Sequence, residues 1–234
     1  MSMKDNIARL QECVAAAVLR SGRNPEEVTL MAVSKTFPPE QIRQAYAAGL
    51  RVFGENRVQE FAGKIAALRD LPDAEWRMIG HLQTNKAIQA AELFSHIDSL
   101  DSVRLARKLN SAGEQLGKKL RVLIEINIGG EAAKSGVAHG SVELGNLLKA
   151  APDLPFLDVR GLMTVPPYGG DPEQSRPYFH KMRELFSQIA SRKLPAIRME
   201  VLSMGMSHDY ELAIEEGSTC VRVGTAIFGA RESR

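Results

Sequence analysis

Short apolar runs, several of them rich in valine and isoleucine, recur along the chain and alternate with stretches whose apolar residues return every three or four positions. Short runs bounded by turn residues predict buried strands, and the longer period predicts amphipathic helices. The strands fall at Thr29–Ser34, Arg51–Gly54, Glu75–Gly80, His96–Asp98, Arg121–Ile128, Phe156–Met163, Glu200–Ser203 and Thr219–Val223. Helices are predicted before the first strand and at Pro39–Ala48, Val58–Leu68, Asn85–Ala91, Ser102–Ala112, Val142–Ala150, Glu173–Ser191 and Ser207–Glu216. No Pro/Gly/Ser linker or low-complexity stretch divides the series, so one domain over residues 1–234 is the simplest account. Eight strands alternating with helices predict an α/β fold, a single closed parallel (β/α)8 TIM barrel. The opening helix is then an addition that caps the barrel or packs beside its last strand. An open doubly wound sheet is the competing architecture, but no GxGxxG follows any strand.

Composition narrows the partners. Thirty basic and 28 acidic residues leave a net charge of +2, so no global field recommends nucleic acid or an anionic membrane. The cluster Lys118-Lys119-Arg121 reads as a solvated face. No apolar run approaches membrane-spanning length, and the charges spread through MSMKDNIARLQECVAAAVLRSG are unlike a signal peptide's core. Cys13 and Cys220 show no CxxC or metal spacing, which predicts free thiols used as core filler and a cytoplasmic location.

The candidate chemistry begins with LMAVSKTFPPE, which places Lys35 after a buried strand and before a proline-started helix. In a parallel barrel that end of the strand opens on the ligand-binding mouth. The same mouth receives Ser34, Glu55-Asn56-Arg57, His81, Asn127 and Thr164 from the other strand ends. Loops after the seventh and eighth strands of such barrels commonly bind phosphate. Here they read LSMGMSHD, with Ser203, Gly205 and Ser207, and VGTAIFGAR, with Gly224 and Thr225 at a helical turn. Ser207 is also placed to cap the helix starting at His208. A lysine on the first strand, closing against a phosphate site on the last, predicts a phosphorylated aldehyde held as a Schiff base. Pyridoxal 5′-phosphate fits, and a partly desolvated amine near Arg222 suits attack on its aldehyde.

The blocks AVSKTFP, FGENRVQE, IGHLQTNK, IDSLDS, EINIGGEAAKSG, RGLMTV, LSMGMSHDYELAIEEGST and VRVGTAIFGAR together resemble the pyridoxal phosphate homeostasis protein family over nearly the whole chain. That resemblance implies an alanine-racemase-like barrel, the fold type III architecture of pyridoxal phosphate proteins, with the cofactor on Lys35. It implies phosphate contacts from the SMGMS serines, chiefly Ser207, and from the backbone of Gly224 and Thr225. It sets Arg222 against the pyridine nitrogen and makes Ser203, Asn56 and Met204 cofactor neighbours. His81 lies in a family block and is either a cofactor neighbour or a capping or packing residue.

Members of the family are understood to bind and buffer the cofactor and to influence vitamin B6 and amino-acid or keto-acid balance. The expected function is therefore a carrier, a monomer whose partners include apo forms of pyridoxal-phosphate enzymes. The alternative is a small enzyme such as an amino-acid racemase. An arginine at the ring nitrogen weakens the electron sink, although racemases of this fold type tolerate one. Racemisation also needs a base on each face of the substrate carbon. In the resembling racemases the second is a tyrosine supplied with an added domain and a partner subunit. Tyr46, Tyr168, Tyr178 and Tyr210 sit in no recognisable second-base motif, and no length for such a domain follows the last strand before Arg234.

Overall fold

A computed structural model describes residues 2–131 and 134–229. Ala132, Ala133 and the end of the VRVGTAIFGAR block lie outside the described residues. The chain begins with α1 (Met3–Arg20), started by a reciprocal cap in which Ser2 and Asp5 each accept the other's backbone N–H through their side chains. Ile7, Leu10, Val14, Ala17 and Val18 share its buried face, as their helical spacing dictates.

Eight parallel strands follow. They are β1 (Thr29–Val33), β2 (Val52–Glu55), β3 (Glu75–Met78), β4 (His96–Leu100), β5 (Leu120–Asn127), then β7 (Leu157–Met163), β8 (Ile197–Ser203) and β9 (Cys220–Val223). Each pairs with its neighbour in that order, and β1 closes against β9 with Met31 opposite Arg222 and Ala32 opposite Val223. The predicted closed barrel is thus present. Its crossovers include α2 (Pro39–Ala47), α3 (Val58–Lys64), α4 (Ala87–Leu93), α5 (Val103–Gln115), α6 (Val142–Ala150), α7 (Arg176–Ser191) and α8 (Tyr210–Glu215). A last turn, α9 (Thr225–Phe228), follows β9. Helix α1 packs on α8 and α9, beside the last strand, and Arg20 reaches Glu211 at 2.7 Å.

Several boundaries differ from the sequence reading. Strand β8 starts at Ile197, earlier than expected, because its first residues alternate apolar with charged and the charged ones stay at the surface, Arg198 reaching Asp158 at 2.6 Å. A two-residue strand, β6 (Val137–Ala138), adds to β5 at Ile126 and Asn127 and was not expected. Helix α8 starts at Tyr210 rather than Ser207, because Asp209 turns the chain by accepting the N–H of Met206 at 2.7 Å. Lys118, read as part of a solvated face, instead donates to the carbonyls of Ala91 and Phe94 at 2.8 Å each, at the end of α4.

The main core lies between strands and helices, where Phe53, Trp76, Phe61 and Phe94 stack in series at centroid spacings of 4.9–5.0 Å. The barrel interior is different. Asp98 on β4 interacts electrostatically with Arg77 on β3 and with Arg222 on β9, a strand that is not its neighbour, so these charges meet inside the barrel. Burial pushes Asp98 up to about 6, against the opposing pull of Arg77 and Arg222. Among the described residues no helix is long and apolar enough to cross a membrane.

Candidate binding site at the barrel mouth

Lys35 follows β1 in a turn that is braced from below. Ser34 donates its hydroxyl to Glu55 at 2.7 Å, and Lys64 donates to the Ser34 carbonyl at 3.2 Å. Lys64 also lies 3.3 Å from Glu55 and 2.6 Å from Glu60. Glu60 in turn accepts the backbone N–H of Thr36 at 2.6 Å, which holds Thr36 at a φ of +69°, a left-handed conformation unfavourable for a branched residue. Burial raises the Glu55 carboxyl, while Lys64 and Ser34 pull it back. Glu55 was expected among the mouth residues; as the last residue of β2 it is fully buried beneath them.

The register of β1 on β9 brings Lys35 beside Gly224 and Thr225, and all three line one cavity of about 490 Å³ at the carboxyl ends of the strands. Asn56, His81, Ser207 and Arg222 also line it. The two predicted phosphate loops touch, since the Gly224 N–H points to Ser207 Oγ at 3.4 Å and the Arg222 N–H donates to the Gly205 carbonyl at 3.0 Å. Ser207 therefore faces Gly224 and does not cap α8. Gly205 has a φ of +93°, and a Cβ there would stand 2.5 Å from the Cβ of Ala213, so only glycine lets this loop lie on α8.

Arg222 is 4% exposed and held from two sides, donating to Ser203 Oγ and to the Thr164 carbonyl at 2.7 Å each. Burial lowers its pKa, and Cys220, Asp98, Glu125 and Asp209 oppose that. Ser203 and Thr164 thus serve the site by fixing Arg222. Among the expected neighbours, Ser203 is fully buried and does not line the cavity, and neither does Met204. Met206 does line it. Ser203, the last residue of β8, turns to Arg222, and Met204 just after it packs in the core with Ala213 and Ile214. Asn127 braces the following loop by donating to the carbonyls of Glu131 and Lys134.

Sequence reasoning missed the opposite wall. Glu125 near the end of β5, with Lys134 and Ser135 after it, lines the cavity across from Lys35. A carboxylate interrupting the apolar run VLIEIN was the available signal. Ser135 donates to Glu125 at 3.0 Å, and Lys134 to the Pro166 carbonyl at 3.1 Å. His81 stands at the rim, its side chain 57% exposed, with Nδ1 3.0 Å from Asp101. Gly80 beside it has no room for a Cβ against the Asn56 backbone.

A parallel barrel with a lysine at the end of β1, two touching loops after β8 and β9, and a buried arginine beneath them defines the class of alanine-racemase-like barrels. In agreement, residues 3–232 match the family model for the alanine racemase N-terminal domain. The pyridoxal phosphate homeostasis protein of Aquifex aeolicus is 44% identical over 232 residues, covering 99% of this chain and 100% of that protein. That of Escherichia coli K12 is 44% identical over 229 residues, covering 97% and 96%. The chain belongs to the pyridoxal phosphate homeostasis protein family. Among solved structures, PipY of Synechococcus elongatus, with PLP bound, superposes with a TM-score of 0.83 at 38% identity, over 97% of this chain and all of that one. Alanine racemase from Corynebacterium glutamicum shares the fold, with a TM-score of 0.69 at 20% identity over 97% of this chain and 62% of its own.

Proposed function

We propose that the mouth cavity binds pyridoxal 5′-phosphate with Lys35 as its covalent anchor, and that the protein stores and releases this cofactor. The observation that carries the reading is the convergence of Lys35, Ser207, Gly224, Thr225 and Arg222 on one cavity of ligand size. The donor set suits the cofactor's two ends: hydroxyls and an N–H for a phosphate, an amine for an aldehyde. PLP bound to PipY, and the names of the relatives, support the same assignment.

When bound, the cofactor supplies an electrophilic carbon that a lysine amine can hold reversibly. The chain's own residues do the rest. Ser207 and Thr225 donate hydroxyls to the phosphate beside the Gly224 N–H. Arg222, locked by Ser203 and Thr164, presents a guanidinium to the ring nitrogen and so disfavours its protonation. Asn56 packs at the same rim, and Met204 contributes only by filling the core beneath the loop. The mouth stays open to water at Thr225 and His81, which suits exchange better than chemistry that must exclude solvent. In this reading the protein acts as a monomer in the cytoplasm, and the recipients are apo forms of pyridoxal-phosphate enzymes. Its two free thiols are in keeping with a reducing compartment.

One observation favours a second reading, an amino-acid enzyme on the same cofactor: His81, oriented by Asp101, is a base at the rim. Reduction with borohydride tests the shared anchor. Cofactor-loaded protein should yield the reduced adduct on Lys35; an adduct on Lys86 or Lys134 and none on Lys35 would overturn the assignment.

A further inference from the structure

Counting around the barrel, β5 stands four strands from β1 in either direction, so Glu125 faces Lys35 across the mouth. A ligand anchored at Lys35 and held by the loops after β8 and β9 leaves that far wall for something else. Glu125 is 7% exposed. Its Oε1 accepts the Ser135 hydroxyl at 3.0 Å, while its Oε2 is closed from solvent and has no hydrogen-bond partner among the described residues. A buried carboxyl oxygen in this condition is costly unless a donor arrives. The charged and titratable groups around it come from several elements. Asp101 after β4 adds to the effect of burial in raising Glu125, and Arg222 on β9 and His81 after β3 oppose it. Lys134 lines the same wall, and Met163, its partner on β7, is uncharged. The donor that would satisfy its unpartnered oxygen best is cationic and small.

We infer that Glu125 forms an amine subsite, in which a primary ammonium, such as that of an α-amino acid, gives its proton to Glu125 and as the neutral amine displaces the cofactor from Lys35. This rests on the cofactor reading above. The atoms balance: one N–H of the ammonium breaks as the Glu125 O–H forms, the incoming nitrogen bonds to the cofactor's carbon, its two remaining protons pass to the Lys35 nitrogen as that nitrogen's bond to the carbon breaks, and Glu125 returns its proton to the freed lysine, which leaves as an ammonium. Unloading is then coupled to amino-acid supply, through a group that no phosphate or ring contact requires.

The test compares two amines on cofactor-loaded native protein and the isosteric variant Glu125→Gln, following the cofactor's absorbance. Glycine enters as an ammonium and needs a proton acceptor; hydroxylamine is largely uncharged at mildly alkaline pH and does not. Glycine-driven release should slow by roughly 10²-fold in the variant, a typical share for a positioned base, with hydroxylamine-driven release unchanged. Equal slowing of both, or of neither, would overturn the inference. A second measurement stands without cofactor or variant: methylamine added to the cofactor-free protein should perturb the Glu125 carboxyl-carbon NMR resonance in a saturable way, and no change would overturn the subsite. Failure of the cofactor reading shows separately, as native protein that retains no cofactor at Lys35.

Discussion

Lys64 Nζ lies 3.2 Å from the carbonyl oxygen of Ser34, so a helix side chain grips the backbone directly before Lys35. The same ammonium holds Glu55, which is fully buried, and Glu60, which holds Thr36 on the other side of Lys35. Lys64→Met should cost about 3–5 kcal/mol in urea unfolding, because it strands a buried carboxylate. Adding Glu55→Gln should recover a large part of that loss. A single variant as stable as the native chain would show that the network does not hold the turn.

That network also marks the limit of what the sequence discloses. Lys35 was legible because a strand's end and a proline-started helix flank it, and the barrel followed from eight alternations of strand and helix. Lys64 reads in isolation as an ordinary exposed helical lysine; only the meeting of β1, β2 and α3 buries it. Ser203 and Met204 stand in a motif block, which does not say which of its residues reach the cavity: both are buried away from it, one holding Arg222 and the other in the core. Glu125 was hidden inside a strand that reads as core, although a charge in such a run is itself a mark of an inward-facing site.

The buried charge inside the barrel gives a signed pH dependence. Asp98 titrates at about 6 in the folded protein against 3.8 as its ordinary value. Between those values the folded state keeps a proton that the unfolded chain has released, so this group's contribution is full below 3.8 and is lost as pH rises through about 6. Unfolding free energies of native protein and Asp98→Asn, measured across this window, should differ by an amount that falls as pH rises. A constant difference would mean that Asp98 does not hold its proton in the fold.

The phosphate assignment rests on donors whose loss should be separable from the anchor. Ser207→Ala and Thr225→Val each remove one hydroxyl from the cavity wall and leave Lys35 in place. Hydrogen bonds to a charged group are worth about 1.5–3 kcal/mol, so each variant should weaken cofactor retention by about one to two orders of magnitude while reduction still labels Lys35. Equilibrium dialysis gives the affinities. Unchanged binding in both single variants and in the pair would place the phosphate elsewhere.

The carrier reading predicts transfer without turnover. Loaded protein should restore activity to an apo form of a pyridoxal-phosphate enzyme, and it should show no sustained racemisation or transamination of common amino acids. The grounds are the guanidinium of Arg222 proposed at the ring nitrogen, the open mouth, and the positions of the four tyrosines, none of which lines the cavity. His81 is an oriented base at the rim, so the decisive comparison includes it. Single L-amino acids incubated in deuterated water and analysed on a chiral column should gain at most a stoichiometric trace of α-deuterium. Multiple turnovers of deuteration with loss of optical purity, abolished by Lys35→Ala and slowed by His81→Gln, would establish the enzyme and end the carrier reading.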